Sequence, residues 1–311
     1  MYCEPIVLGE QTEYPLKGIL TLPKEYEEGD VKVPAAVFVH GSGSSNMDEK
    51  LYRVTPFKDL AEGLAARGIA SLRYDKRSFT YGFKMIRSKE VITVKQETIE
   101  DAILAAELLR QDHRIDPDRI FIVGHSMGAM LAPRIDAEGG NFRGLVLMAG
   151  STRKLEDVLI DQTKQAMEEL NPILRSLTKG QTKKLEKKFK GLYEMSDEEA
   201  KSKKVGGGTT LYYFKELGEH PVEDYLGETK KPMLILQGEK DVQVSVEKDF
   251  QVYKELLKDH PDVTFKLYEG LNHCFMPAVY ESILKAKQEY NKEQHIGSEV
   301  LDDIANWIKE R

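Results

Sequence analysis

The sequence predicts an α/β protein: a mostly parallel sheet covered on both faces by helices and interrupted once by a helical insertion. Three observations predict it. Short apolar runs suited to strands buried on both faces alternate with amphipathic helical stretches. One such run ends at Gly124-His125-Ser126-Met127-Gly128 and passes at once into a small-residue helical pattern. The alternation then breaks after Gly150 and resumes near Pro232.

Residues 5–8 and 17–22 read as short strands that lead into a turn region rich in Pro, Gly and acids. Ala35-Ala36-Val37-Phe38-Val39 fits a buried strand and ends in His40-Gly41-Ser42-Gly43. Residues 56–66 show helical spacing, with Phe57, Leu60 and Leu64 on one face and Gly68 as the stop. Residues 69–74 form the next strand, and residues 98–110 form a second amphipathic helix through Ile99, Ile103, Leu104 and Leu108. Residues 120–123 and 145–149 supply strands on either side of the helix that follows Ser126. From about 152 to 225 the chain is helix-prone and charged. Its Lys183-Lys184 and Lys187-Lys188 pairs read as a solvated helix face, and Gly206-Gly207-Gly208 as a loop. Residues 232–236 and 263–268 restore the strand pattern, and residues 300–309 close the chain with an amphipathic helix containing Trp307. The expected organisation is a core made of 1–151 and 226–311, with 152–225 as a cap over the carboxyl ends of the strands.

Composition narrows the function. At 311 residues the chain can bury one large core carrying an insertion. Lys+Arg 45 against Asp+Glu 52 gives a net charge of −7, which argues against nucleic acid or an anionic membrane as partner. The N-terminus lacks a basic region followed by an apolar one, and no apolar run approaches a membrane span, so a cytoplasmic protein is expected. Cys3 and Cys274 are too few for a disulfide framework or a structural zinc site. No cofactor or metal is expected, since no His/Cys/carboxylate set has ligand spacing. The Gly-rich loop at 41–43 lacks the Gly-Lys-Ser/Thr of a phosphate loop and the spacing of a dinucleotide loop.

The chemistry sits in the Gly-x-Ser-x-Gly stretch. A strand turning this sharply into a helix leaves its central residue strained and projecting, and small residues two positions away let strand and helix approach. Ser126 then stands above the sheet, and the Met127 N–H is free to stabilise an oxyanion. Serine needs a base to take its proton, and the base needs an orienting acid. Asp241 lies just past the strand at 232–236, and His273 just past the strand at 263–268. Parallel strands bring those ends to one edge of the sheet, in the order Ser126, Asp241, His273. Glu239 and Asp249 are the competing acids, in the turn and on the following helix respectively. Among the competing histidines, His40 is expected to shape its loop and His125 to point away from the serine. Cys274 is expected to be a packed thiol. The second oxyanion donor is expected from the loop after Val39, at the N–H of Ser42.

These residues carry a resemblance. His40-Gly41-Ser42-Gly43, Phe57-Lys58-Asp59-Leu60-Ala61, Gly68 through Arg77 with its Arg-Tyr-Asp-Lys-Arg end, and Gly124-His125-Ser126-Met127-Gly128 resemble the bacterial carboxylesterases of the α/β-hydrolase superfamily. That group is related to the serine aminopeptidase-like (S33) hydrolases and the feruloyl/cinnamoyl esterases. The resemblance covers nearly the whole chain outside 152–225, where such proteins carry a cap. It implies Ser126, Asp241 and His273 as a catalytic triad, with Ser42 and Met127 as oxyanion donors. Ser44-Ser45-Asn46-Met47-Asp48 departs from the pattern, which places a Pro near the start of this loop. The expected activity is hydrolysis of a small-molecule carboxylic ester through an acyl-enzyme, without a cofactor. A peptidase or amidase would need acids to bind a free amine, such as Glu168, Glu169, Asp197, Glu198 or Glu199. A binding protein that has kept the pocket would leave the serine unreactive.

Overall fold

The computed structural model describes residues 1–24, 32–87, 91–178, 180–206 and 208–311, and the statements below concern these. Most of the turn region expected after residue 22, and the middle glycine of the triplet, Gly207, lie outside them.

Eight strands build one sheet in the order β1-β2-β4-β3-β5-β6-β9-β10. They are β1 (Tyr2–Leu8), β2 (Leu16–Leu22), β3 (Val33–Val39), β4 (Ala70–Tyr74), β5 (Ile115–His125), β6 (Leu145–Met148), β9 (Met233–Gly238) and β10 (Val263–Tyr268). The remaining pair, β7 (Lys204–Gly206) and β8 (Thr209–Thr210), forms a separate ribbon. β2 runs antiparallel to both β1 and β4, and every other neighbouring pair in the large sheet is parallel. The period of two along a strand divides the interior into two cores. Ala35, Val37 and Val39 of β3 face one core, and Ala36 and Phe38 face the other. Central strands are buried on both faces throughout, whereas the edge strand β10 exposes Lys266 and Leu267.

Helices α1 (Pro56–Ala65), α2 (Arg77–Arg87), α3 (Glu100–Gln111) and α4 (Met127–Ile135) belong to the first part of the chain. α11 (Gln251–Leu256), α12 (Ala286–Tyr290) and α13 (Ser298–Lys309) belong to the last. α1 starts on Pro56, whose fixed φ suits a first helical position, and buries Phe57, Leu60 and Leu64 as the spacing requires. α13 buries Val300, Ile304, Trp307 and Ile308, with Trp307 edge-on to Phe121. One turn of wider π-type helix, Lys95–Ile99, leads into α3. α2 has no counterpart among the expected elements. Its physical reason is that α2 buries only Arg77 and Met85 while exposing Phe79, Phe83 and Ile86, so no core-facing stripe marks it.

Between β6 and β9 the chain leaves the sheet and forms α5 (Leu155–Glu169), α6 (Pro172–Thr178), α7 (Gln181–Phe189), α8 (Asp197–Ser202), the β7–β8 ribbon, α9 (Leu211–Gly218) and α10 (Val222–Glu228). The insertion is tied to the core at several points. Arg134 of α4 pairs with Glu216 of α9 at 2.5 Å. Arg153 bridges Asp161 of α5 and the buried Asp249. Glu169, at the end of α5, accepts from the Ser282 hydroxyl and the Ile283 and Leu284 amides.

The crossing of β5 and α4 positions everything that follows. A Cβ placed on Gly124 would lie 2.3 Å from the Gly128 carbonyl oxygen, and one on Gly128 would lie 2.1 Å from that of Val39. Both obstacles are backbone, so neither can swing aside. Gly128→Ala is therefore expected to lower the unfolding free energy by at least the roughly 1–3 kcal/mol typical of overpacking. Urea denaturation checks it; an unchanged midpoint would show that strand and helix can separate freely.

Candidate active site

Ser126 sits between β5 and α4 with φ 55° and ψ −117°, a left-handed conformation that a serine adopts only when its surroundings impose it. Those surroundings are hydrogen bonds on both sides. The Ser126 N–H donates to Met148 O at 2.8 Å, and its carbonyl accepts from the Ala129 and Met130 amides at 3.0 and 3.2 Å. The side chain is thereby thrust out at the start of α4, beside helix amides that have no partner within their own turn. Met127 supplies the first of these.

Asp241 and His273 meet as their strand positions require. β9 and β10 are parallel neighbours, and the turns after them bring His273 Nδ1 within 2.7 Å of Asp241 Oδ2. The Asp241 side chain has no exposure and that of His273 is 6% exposed. Oδ2 also accepts from Gln237 Nε2 at 2.9 Å, while Oδ1 accepts the Gln243 and Val244 amides at 2.7 and 3.0 Å. A carboxylate held at three other points presents one fixed lone pair to the imidazole, so Nδ1 carries the proton and Nε2 is left as the basic nitrogen. The His273 loop is held just as firmly. Asn272 accepts the Cys274 and Met276 amides and donates to Glu289 at 2.6 Å.

The competing residues have other employment. Glu239 accepts the Gly270 amide in the turn. Asp249 is fully buried, where it takes hydrogen bonds from Ser151 Oγ and the Arg153 guanidinium. Burial pushes the Cys274 thiol far above its ordinary pKa, which leaves it an inert packed thiol. His40 shapes its loop through a 3.0 Å contact between Nε2 and Asn46 O.

Gly41 packs directly on the nucleophile: a Cβ there would stand 3.1 Å from Ser126 Cβ. Its N–H donates to Glu49 Oε1 at 2.9 Å, and Ser42 beyond it is exposed. The loop beyond it is wired to the end of β4. Arg73 pairs with Asp48 at 2.9 Å, and Asp75 accepts the Met47 amide at 2.8 Å.

His125 has a role beyond the one its position suggests. It does not merely point away; it braces the base from behind. Its ring lies 4.7 Å from that of His273, its Nε2 is 3.0 Å from His273 O, and its Nδ1 is 2.9 Å from Glu49 Oε2. A carbonyl at Nε2 and a carboxylate near Nδ1 both favour the protonated ring. Burial opposes that charge, but Glu49, the His273 carbonyl and Asp241 together outweigh it and raise the His125 pKa. Burial likewise pushes Glu49 up, and His125 reverses the shift to a net lowering. Glu49 and His125 thus tie the loop of Gly41 to the loop of His273 across Ser126. Glu49 escaped the sequence reading because it lies in an irregular segment, eight residues from Gly41 and with no motif around it; its left-handed φ of 49° has no sequence signature either.

Among the described residues no group of three or more His, Cys, Asp or Glu side chains is arranged to hold a metal, and no helix is long and apolar enough to cross a membrane.

This architecture is the α/β-hydrolase fold. The Pyrococcus furiosus esterase Pf2001 superposes with a TM-score of 0.59 at 17% identity, covering 99% of this chain and 91% of its own. The family model for the serine aminopeptidases, S33, matches residues 36–277, and the chain belongs to that family. Esterase EstD of Thermotoga maritima is 34% identical over 293 residues, 94% of this chain and 65% of EstD. The Bacillus subtilis uncharacterized peptidase YtmA is 24% identical over 197 residues, 63% of each chain. The chain spans about two thirds of the length of these curated relatives.

His40 makes the loop sensitive to acid. Burial, countered only in part by Glu49, lowers its pKa from 6.5 to about 4, so it is neutral in the folded protein. The unfolded chain takes up a proton below about 6.5 and the folded chain does not until about 4, so stability falls as pH drops through that window. The loss is roughly 3 kcal/mol at 1.36 kcal/mol per pKa unit. Urea midpoints measured from pH 7 to 4 should fall more steeply for the wild type than for His40→Gln; parallel curves would refute the assignment.

Proposed function

We propose that this protein is a serine carboxylesterase acting on short-chain or small-acyl esters, with Ser126, Asp241 and His273 as its catalytic triad. The observation that carries the reading is the 2.7 Å Asp241–His273 pair at the sheet edge where the strained Ser126 projects. The name of EstD and the fold shared with Pf2001 support it.

In this mechanism His273 Nε2 removes the Ser126 proton as Oγ attacks the ester carbonyl carbon. The negative charge that develops on the carbonyl oxygen is held by the N–H groups of Met127 and Ser42. Asp241 holds the imidazolium in place without itself taking the proton. The tetrahedral intermediate collapses, breaking the bond to the leaving oxygen, which departs as the alcohol with the proton from His273. Water then gives a proton to His273 and attacks the acyl-enzyme. The second intermediate expels Ser126, which recovers its proton, and the acid is released. Residues 152–225 act as a cap, and their face over the strand ends sets which acyl groups enter.

A peptidase acting through the same triad is the second reading, favoured by the name of YtmA. Four of the five acids that an amine-binding pocket would use are engaged elsewhere. Glu169 is hydrogen-bonded at residues 282–284, and Asp197, Glu198 and Glu199 pair with Lys215, Lys201 and Lys203.

The test is hydrolysis of p-nitrophenyl esters from acetate to palmitate, beside aminoacyl p-nitroanilides, for the wild type and Ser126→Ala. Short-chain ester turnover is expected, with a loss of up to about a millionfold in the variant. Turnover confined to the anilides would replace the esterase reading with the peptidase one.

A further inference from the structure

The Arg-Tyr-Asp-Lys-Arg stretch is only partly accounted for by the contacts of Arg73 and Asp75. Lys76 is 2% exposed, an unusual place for an ammonium group. Its Nζ donates to Gly41 O at 2.9 Å and Gly43 O at 3.0 Å, and lies 3.8 Å from Glu97 Oε2. Two carbonyls therefore accept from the ammonium, and the Glu97 carboxylate stands at ion-pair distance. Burial lowers the Lys76 pKa, and Glu97 and Glu49 work against that lowering.

The two carbonyls belong to the loop that packs on Ser126. In a trans peptide the C=O and the following N–H point in opposite directions. With Gly41 O fixed on Lys76, the Ser42 N–H is turned away from Lys76. The Gly41 N–H is already committed to Glu49. One loop amide is thus occupied, and the orientation of the next is dictated by a buried lysine 34 positions later in sequence.

The same group reaches the insertion. The Tyr213 hydroxyl on α9 donates to Glu97 Oε2 at 2.8 Å and lies 3.7 Å from Met127 Sδ, on the residue that offers the other oxyanion amide. A continuous polar path runs from α9 through Tyr213, Glu97 and Lys76 to the Gly41–Ser42 peptide.

We propose that Lys76 is a positioning residue that aims the Ser42 N–H at the oxyanion, and that Tyr213, acting through Glu97, makes this aim depend on the insertion being seated. The proposal rests on the serine-esterase reading. A cap that shifts takes Tyr213 from Glu97, frees Glu97 to draw the ammonium off the carbonyls, and lets the peptide rotate. Substrate that seats the cap completes the hole.

The experiment compares Lys76→Met, Glu97→Gln and Tyr213→Phe with the wild type, in the full chain, on the p-nitrophenyl ester that the wild type hydrolyses fastest. It reads kcat, KM and inhibition by a trifluoromethyl ketone, whose hemiketal presents an oxyanion. Lys76→Met is expected to lose about 10²–10³-fold in kcat, the scale of one oxyanion donor, with KM within threefold and inhibitor affinity falling alongside kcat. Tyr213→Phe and Glu97→Gln are expected to lose kcat in the same sense by a smaller factor, both staying folded at the assay temperature although Glu97→Gln lowers the thermal midpoint. A folded Lys76→Met that keeps kcat within threefold of wild type overturns the proposal. Should Lys76→Met fail to fold, the shape-conserving Tyr213→Phe and Glu97→Gln decide, and unchanged kcat in both overturns it. A wild type inert on every ester sinks the underlying esterase reading and the proposal with it, an outcome distinct from an active enzyme indifferent to Lys76.

Discussion

The structure depends first on a close approach of backbones. β5 can turn into α4 within three residues only because Gly124 and Gly128 carry hydrogen where other residues carry Cβ, and Val39 of the adjacent strand closes the same space. That approach forces Ser126 into its left-handed conformation and lays the Gly41 loop against it. Asp241 and His273 arrive from β9 and β10, on the far side of β6 from the elbow. The parallel arrangement of these strands puts the turns that carry Ser126, Asp241 and His273 at one edge.

Behind this edge lies a layer of buried charge, organised in pairs. Glu49 and His125 join the Gly41 loop to the His273 loop, and Lys76 and Glu97 hold the same Gly41 loop from the other side. Unpaired, any of these groups would cost several kcal/mol to bury. Paired, they fix positions that loops alone would leave variable. The second layer is therefore mostly electrostatic, and it converges on the peptide groups nearest Ser126 rather than on Ser126 itself.

Much of this was legible in the sequence. Strands buried on both faces announce themselves as apolar runs, and Val263–Tyr268 falls where the pattern put it. The elbow, Asp241 and His273 are legible because each stands at the end of such a run. Asp241 is separated from Glu239 and Asp249 by contacts that no spacing encodes. Glu239 accepts the Gly270 amide, and Asp249 accepts from Ser151, Arg153 and the Ser245 amide. Helix α2 and the roles of Glu49, His125 and Lys76 were hidden for related reasons. α2 has no buried stripe, and the three polar residues act on partners from 8 to 148 positions away. Periodicity reads what a segment buries, and it is silent on which distant peptide a buried charge will hold.

The most direct test of the central claim, that Ser126 is a nucleophile activated by the Asp241–His273 pair, is covalent labelling with a fluorophosphonate followed by intact-mass and peptide analysis. A single adduct is expected, mapped to Ser126, formed rapidly by the wild type and far more slowly by His273→Ala. A folded wild type that takes up no label, or takes it up at another residue, would contradict it.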